Sequence, residues 1–302
     1  MLRHTVLALS TLPAIALLVL HHLVDDGHML TAVAHAASGW LFPLGIVPVV
    51  LAGFARHWRW LAGTALLAVV SLFPVARGHV PQPTGEGVPL RVVTANVLMI
   101  NTDFDAMIGE LVAAEPDVMV LQEVSGAWAD ALAADERLEP WGWRHVVPMD
   151  GSFGYAVLSR IPAGFEAEDL LGVPVGIVTL DLGRPVELLA VHTLPPRTGE
   201  LAEVWHDQMG LLADRPCDIL AGDLNATRHH PSYRRLLASG LRDAHAEVGR
   251  ASASTWPKRA FPLPPMRLDH VLVGDGVGVA AVWELPPSGS DHAPVVADLR
   301  IR

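Results

Sequence analysis

Ser288-Gly289-Ser290-Asp291-His292-Ala293-Pro294-Val295-Val296 is the stretch that decides how this chain is read. A polar Ser-Asp-His triplet stands between a glycine turn and an apolar run that reads as a strand. A carboxylate and an imidazole adjacent in sequence, at the mouth of a buried strand, can both face one phosphate or one metal. Alone the triplet is a weak signal, but the arrangement recurs upstream. Thr94-Ala95-Asn96 closes one strand-like run and Gln122-Glu123 the next; His192-Thr193, Gly222-Asp223-Leu224-Asn225 and Leu268-Asp269-His270 follow. Polar groups buried at strand ends need partners, and a cation with a phosphate satisfies all of them together. Singly, Asn96 reads as a turn residue, Glu123 as a solvated strand end, and Asp223 with Asn225 as an Asx-turn and cap. Asp269-His270 inside an otherwise apolar strand resists such an explanation. The joint pattern points to a metal-dependent phosphoester hydrolase.

Around these ends the chain alternates strand and helix. Strands are expected at Leu90–Val97, Val118–Leu121, Gly154–Leu158, Val173–Leu180, Val186–Val191, Asp218–Ala221, Leu268–Val273, Val277–Trp283 and Ala293–Leu299. Phe104, Met107, Ile108, Leu111 and Val112 recur at helical spacing, with Asp103 placed to cap them. Further helices are expected near Trp128–Arg137, Thr198–Ala213 and Ser232–Ser239. Many strands with few helices predict two packed sheets with helices outside, an α+β sandwich. The stretch Ala244–Pro265 reads as a long surface loop, His229-His230 as a surface pair, and Trp128, Trp141, Trp143 and Trp205 as core. His270 and Arg160 read as structural groups.

The amino-terminal quarter has a different character. Apolar segments run roughly Thr5–Leu20, Gly39–Ala55 and Trp60–Ala76, each close to the ~20 residues that span a bilayer as helix. Trp40, Trp58 and Trp60 fall at segment edges, where indoles favour the membrane interface. Arg3 and the Arg56-His57-Trp58-Arg59 turn are basic, whereas the loop holding Asp25 and Asp26 is acidic. The positive-inside rule therefore places the basic ends in the cytoplasm and, after three crossings, everything beyond Arg77 outside it. Arg77 itself counts the other way, and two spans would reverse the sidedness. Residues 1–77 thus read as a transmembrane anchor, 78–89 as a Pro/Gly-rich linker, and 90–302 as the catalytic domain.

Composition narrows the partners. Of 302 residues, 51% are hydrophobic, concentrated in that first quarter. Residues 1–87 balance four arginines against Asp25, Asp26 and Glu86, so the formal charge of −11 sits almost wholly on the rest, whose single lysine is Lys258. That argues against nonspecific grip on duplex DNA, which needs a basic footprint. The lone Cys217 excludes an intrachain disulfide and a multi-cysteine zinc site.

In order, T-A-N-V (94–97), D-V-M-V-L-Q-E-V (117–124), G-Y-A-V-L-S-R (154–160), A-V-H-T-L-P-P (190–196), A-G-D-L-N-A-T (221–227), L-D-H-V-L-V (268–273) and G-S-D-H-A-P-V-V (289–296) resemble the motifs of the endonuclease/exonuclease/phosphatase (DNase I-like) superfamily. The apolar front end resembles its membrane-tethered bacterial branch. The resemblance covers roughly 90–302 and implies an α/β (α+β), four-layered DNase I-like sandwich of two packed β-sheets flanked by helices, preceded by about three transmembrane helices. It implies an active site at one edge of the paired sheets and a location in the bacterial inner membrane.

Carried over at matching positions, the resemblance implies Glu123 as principal ligand of Mg²⁺ (or Mn²⁺), assisted by Asn96 and Asp291; hard oxygen donors suit those ions. Asp223 would orient or deprotonate the attacking water, with Asn225 positioning the water or the phosphate. His292, held by Asp269, would polarise the phosphate or transfer a proton. His192 would hydrogen-bond the phosphate or protonate the leaving group. Arg228 is the further phosphate-contact candidate. The expected partners are the bilayer and a phosphoester substrate, whether lipid head group, small phosphodiester or extracytoplasmic nucleic acid; no protein partner is expected. A catalytically silent phospholigand receptor would lack a metal ligand or the Asp–His pair, and neither is missing.

Overall fold

A computed structural model describes residues 2–82, 86–258 and 264–302. Its core is a pair of six-stranded sheets. The first takes β1 (Val88–Asn96), β2 (Val118–Gln122), β3 (Trp143–Val147), β4 (Tyr155–Ser159), β11 (Val277–Glu284) and β12 (Val295–Ile301), in the order β11-β12-β1-β2-β4-β3. The second takes β5 (Ala163–Asp169), β6 (Pro174–Asp181), β7 (Pro185–His192), β8 (Ile219–Asp223), β9 (Arg242–Asp243) and β10 (Asp269–Val273), in the order β5-β6-β7-β8-β10-β9. Each sheet holds one parallel pair at its middle, β1 with β2 and β7 with β8. Each pair needs a crossover, supplied by α5 (Phe104–Ala113) and α7 (Gly199–Ala213).

The sheets bury their facing sides against each other. Val92, Val118, Val120 and Val157 of the first meet Val178, Leu188, Ile219 and Val271 of the second, all without exposed surface or nearly so. The first sheet's other face is covered by α5 and α6 (Gly126–Ala134), through Met107, Leu111 and Trp128. The second is covered by α7 and α8 (Pro231–Ala238), through Trp205, Met209, Tyr233 and Leu236. This makes the expected four layers. It also brings the carboxyl ends of both parallel pairs to one edge, where the polar residues stand.

Three apolar helical segments precede the sandwich. α1 (Leu2–Leu23) is the first. The second comprises α2 (Met29–Leu41), a 3₁₀ turn at Phe42–Ile46 and α3 (Val47–Phe54); α4 (Trp58–Ala76) is the third. Their outward faces show Leu12, Phe54, Leu66 and Phe73, while Ala14, Ala52, Ala68 and Ser71 lie inside. Small side chains within and large apolar ones without is the pattern of helices packed in lipid. The indole of Trp60 donates to His4 (3.0 Å), so the Arg3 end of α1 lies beside the Arg56–Arg59 turn. The opposite end, with the loop at Asp25 and Asp26, meets the catalytic layers.

Several expectations need correction. The second apolar segment starts at Met29 rather than Gly39; His28 caps α2 by accepting from the amide of Leu30 (3.2 Å). Its polar His35 and Ser38 masked the period because they are buried, His35 with its ring 6.0 Å from that of His230. The described residues form twelve strands against nine expected: the edge strands β3, β5 and β9 escape because Arg144 and His145 break up the first, Glu166, Glu168 and Asp169 the second, and the third is the two polar residues Arg242 and Asp243. Trp143 stands on such an edge and is 42% exposed, not core. Asp103 sits at the start of α5 but makes no side-chain cap. Residues 244–265 are not simply surface: α9 (Ala244–Glu247) buries Ala244 and His245, Thr255 is fully buried, and 259–263 lie outside the described residues. The described part of the linker is no free tether. His79 bonds Ser252 (2.7 Å) and the amide of Gln82 donates to the carbonyl of Glu247 (2.7 Å). Cys217 is half-buried, and burial pushes its thiol up to about 12, which makes it structural.

Candidate active site

Asn96 ends β1, and its amide nitrogen touches two carboxylates, Glu123 Oε1 at 3.0 Å and Asp223 Oδ2 at 3.2 Å. The two sheets are thus bridged at the edge by one side chain. Its oxygen is turned away, accepting from the amide of Leu98 (3.1 Å). Glu123 follows β2 in the left-handed region (φ 61°), a costly conformation for a side chain of this size. It persists because both oxygens are held, Oε1 by Asn96 and Oε2 by the amide of Met99 (3.1 Å).

Asp223 ends β8. The preceding Gly222 (φ 152°) is required there, since a Cβ would stand 1.7 Å from the carbonyl oxygen of Val191 on β7. Asp223 Oδ1 accepts from the amide of Asn225 (2.9 Å). Oδ2 faces His192 Nε2 at 3.7 Å and His292 Nε2 at 3.8 Å. Asn225, also left-handed (φ 47°), anchors its amide on the carbonyl of Thr193 (2.9 Å). Burial, then the neighbouring Asp269 charge, raise the Asp223 pKa above the ordinary carboxylate value.

Asp269 opens β10 and is wholly buried. Its Oδ2 lies 2.8 Å from His292 Nδ1. Burial opposes charge on both, yet the pair prevails. The Asp269 pKa is lowered by His292, while Asp269 and Asp223 raise that of His292 to about 10. His292 is therefore an imidazolium, oriented from Nδ1 with Nε2 aimed at Asp223. Asp291 is fixed differently: its Oδ2 accepts from the indole of Trp256 (3.0 Å), and its buried Oδ1 has no partner. Asp269 Oδ1 and His192 Nδ1 are buried and unpartnered too.

One connected set thus joins Asn96, Glu123, Asp223, Asn225, His192, Asp269 and His292. Asp291 joins it by adjacency. Arg228 does not: its guanidinium donates to the carbonyl of Arg77, at the seam with the amino-terminal helices. His270 bonds the carbonyl of Ala226 (2.8 Å) and Arg160 stacks over Trp141 at 3.9 Å, both within the packing. His229 and His230 are not a surface pair. They are 8% and 1% exposed, covered by α1 and α2, and burial pushes their pKa values down to about 2 and 4.

Sequence reasoning missed the supports. Thr255 Oγ1 accepts from the amides of Leu268 (3.1 Å) and Asp269 (3.2 Å), and its carbonyl accepts from Ala293 (2.9 Å). Ser290 donates to the carbonyl of Asn96 (2.7 Å) while accepting from the amide of His292 (3.0 Å). Phe153 packs on His192, ring centres 5.2 Å apart. Only Ser290 had a sequence signal, inside the S-D-H triplet.

Metal fit follows from the donor chemistry. Asp223, Asp269 and His292 offer ligand atoms within 4.8 Å of one another. His292, however, is protonated by its pairing, and a metal would have to break that pair. Asp291 Oδ1 is the unpartnered oxygen, and with Glu123, whose oxygens accept from the Asn96 side chain and the Met99 amide, it makes a donor set suited to Mg²⁺ or Mn²⁺.

Comparison with known proteins agrees with this geometry. A sequence model described as the Endonuclease/Exonuclease/phosphatase family matches residues 93–292. Among solved structures, an endonuclease/exonuclease/phosphatase from Beutenbergia cavernae DSM 12333 is similar at 22% identity and TM-score 0.56, over 70% of this chain and 72% of that one. A humanized TDP2 from D. rerio is similar at 18% identity and TM-score 0.60, over 70% and 99%. The 3′ phosphatase NExo from Neisseria, bound to a product DNA hairpin, is similar at 20% identity and TM-score 0.53, over 69% and 98%. No curated protein matches in sequence.

Proposed function

Since the chain belongs to the endonuclease/exonuclease/phosphatase family and is a metal-dependent phosphoester hydrolase, we propose that it is a membrane-anchored, Mg²⁺- or Mn²⁺-dependent phosphodiesterase working by in-line attack of water on phosphorus. The observation that carries this reading is the continuous chain from Glu123 through Asn96 to Asp223, with two imidazoles converging on Asp223 Oδ2.

Glu123 and Asp291 would hold the cation, joined by Asn96 with its amide turned over. When bound, the ion polarises a phosphoryl oxygen and offsets developing charge. Asp223 accepts the proton of the attacking water. Its pKa is raised by burial and the Asp269 charge, whereas that of Asp269 is lowered, so Asp223 is the better proton acceptor of the two. Asn225, locked on Thr193, aligns the water. His292, charged and held by Asp269, faces the phosphoryl oxygens with Nε2. His192, across Asp223, protonates the leaving oxygen.

The anchor crosses a bacterial inner membrane three times. The apolar lengths Arg3–Leu23, Met29–Phe54 and Trp58–Ala76 support this. So does the position of Arg3 and the Arg56 turn at the end away from the catalytic layers, which favours an extracytoplasmic domain.

The test is a soluble aryl phosphodiester assayed with Mg²⁺, Mn²⁺ and EDTA. Glu123→Ala and His292→Ala each lose about 10²–10⁴-fold in turnover with far-UV circular dichroism unchanged. Turnover that persists in EDTA, or in both variants, refutes the assignment.

A further inference from the structure

A cavity of about 280 Å³ lies where the anchor meets the catalytic domain, away from the carboxylate edge. One wall belongs to the anchor: Ala36, Gly39 and Trp40 of α2, Pro43 of the following turn, and Val75. The opposite wall comes from three loops of the domain, each leading directly into the active site. Thr227 to His229 follow Asn225. Met266 and Arg267 precede Asp269. Ala251 to Ala253 precede Thr255 and Trp256, which hold Asp269 and Asp291.

Its position and chemistry specify an occupant. Val75 is in the last turn of the third apolar helix, so the cavity opens where that span ends, at the boundary between acyl chains and head groups. Trp40 stands beside it, 54% exposed, its indole donating to the carbonyl of Pro265 (2.9 Å), as expected of an interfacial tryptophan. The lining is mainly apolar. Arg228, half-buried there, makes no salt bridge among the described residues. An apolar slot with an uncompensated guanidinium matches an acyl chain below a phosphate.

We propose that this cavity takes the proximal acyl chain of a membrane phospholipid, with Arg228 steering its phosphate toward Asp223 and His292, so that the substrate is a lipid phosphodiester. The substrate assignment rests on the phosphoesterase reading; the binding site does not.

The experiment reconstitutes the full chain in phosphatidylglycerol/phosphatidylcholine vesicles doped with a phospholipid carrying a photoreactive diazirine in its acyl chain. Adducts are expected on Ala251 to Ala253 and Met266, positions of the catalytic domain. Adducts confined to the outward faces of α1 and α4 overturn the site. Ala36→Phe, which fills the cavity from the anchor side, is expected to deplete those domain adducts. It should also lower the ratio of vesicle-phospholipid to soluble aryl phosphodiester turnover by about tenfold or more; an unchanged ratio overturns the substrate assignment. Ala36→Leu repeats the test if the larger ring prevents folding. Wild type that acquires the domain adducts but hydrolyses neither substrate refutes the phosphoesterase reading and leaves the lipid site standing.

Discussion

Two buried constellations of acid, histidine and serine occur in this molecule, and they are built to opposite ends. At the sheet edge, Asp269, Asp291 and His192 keep open valences: Asp269 Oδ1, Asp291 Oδ1 and His192 Nδ1 are buried without partners. At the seam between the amino-terminal helices and the sandwich, Asp26 is equally buried, yet both its oxygens are spent. Oδ1 accepts from Ser232 Oγ (2.6 Å) and pairs with His206 Nδ1 (3.0 Å), and Oδ2 accepts from the amide of Ser232 (3.0 Å). His230, at the cap position of α8, makes no side-chain cap, so Asp26 supplies one from two hundred residues away. His230 Nε2 meanwhile reaches the carbonyl of Ala32 on α2 (2.9 Å), and Arg234 donates to that of His21 on α1 (2.6 Å). The same residue types thus serve chemistry where their valences stay open and attachment where they are closed.

The largest effect should come from the open set. Asp269→Asn removes the charge that keeps His292 protonated, and aryl phosphodiester turnover should fall by about 10²–10⁴-fold while Asp26→Asn leaves it within the same order. Equal losses in both would erase the distinction. The closed set should register in stability instead. Asp26→Ala leaves the buried amide and hydroxyl of Ser232 and the half-buried His206 without their acceptor and uncaps α8, at a cost of about 2–4 kcal/mol, read from the denaturation midpoint in detergent; a shift below about 1 kcal/mol would mean the seam is incidental.

Acid sharpens the same point. Burial opposes the Asp26 charge, but His230 and the hydrogen bonds from Ser232 and His206 outweigh it and hold its pKa below the ordinary value. A depressed native pKa means that the stabilisation is fully present above the unfolded value of about 3.9 and is lost as pH falls through the native one. The gap between wild type and Asp26→Asn should therefore close only below about pH 4; a gap that closes near neutrality points to a histidine instead. The smallest effect is steric. A Cβ on Gly39 would lie 2.6 Å from His229 Nε2, and Gly39→Ala should cost about 1–3 kcal/mol without changing metal dependence.

The contrast also explains what the sequence could reveal. Strand-end motifs are local: a polar residue closing an apolar run is visible in a window of eight, and T-A-N-V, L-Q-E-V, A-G-D-L-N and S-D-H all end where the sheets end. The seam is not local. Asp26 and Ser232, or Gly39 and His229, share nothing along the chain, so His229-His230 reads as surface until α1 and α2 cover it. Thr255 was invisible for the same reason: a lone threonine in a Ser/Ala-rich stretch gives no sign that two backbone amides will converge on it. Edge strands β3, β5 and β9 failed for a third reason, since charged and polar residues such as Arg144, Glu166 and Arg242 interrupt their short apolar runs.

Strand β12 runs antiparallel between β11 and β1, so the strand spanning residues 295–301 holds a central place in the first sheet and follows directly on His292. A ribosome releases these residues long after the amino-terminal helices have left it. Until then β1 lacks one of its two neighbours and the imidazole opposite Asp223 has no mount, so the site cannot assemble while the rest of the chain is already made.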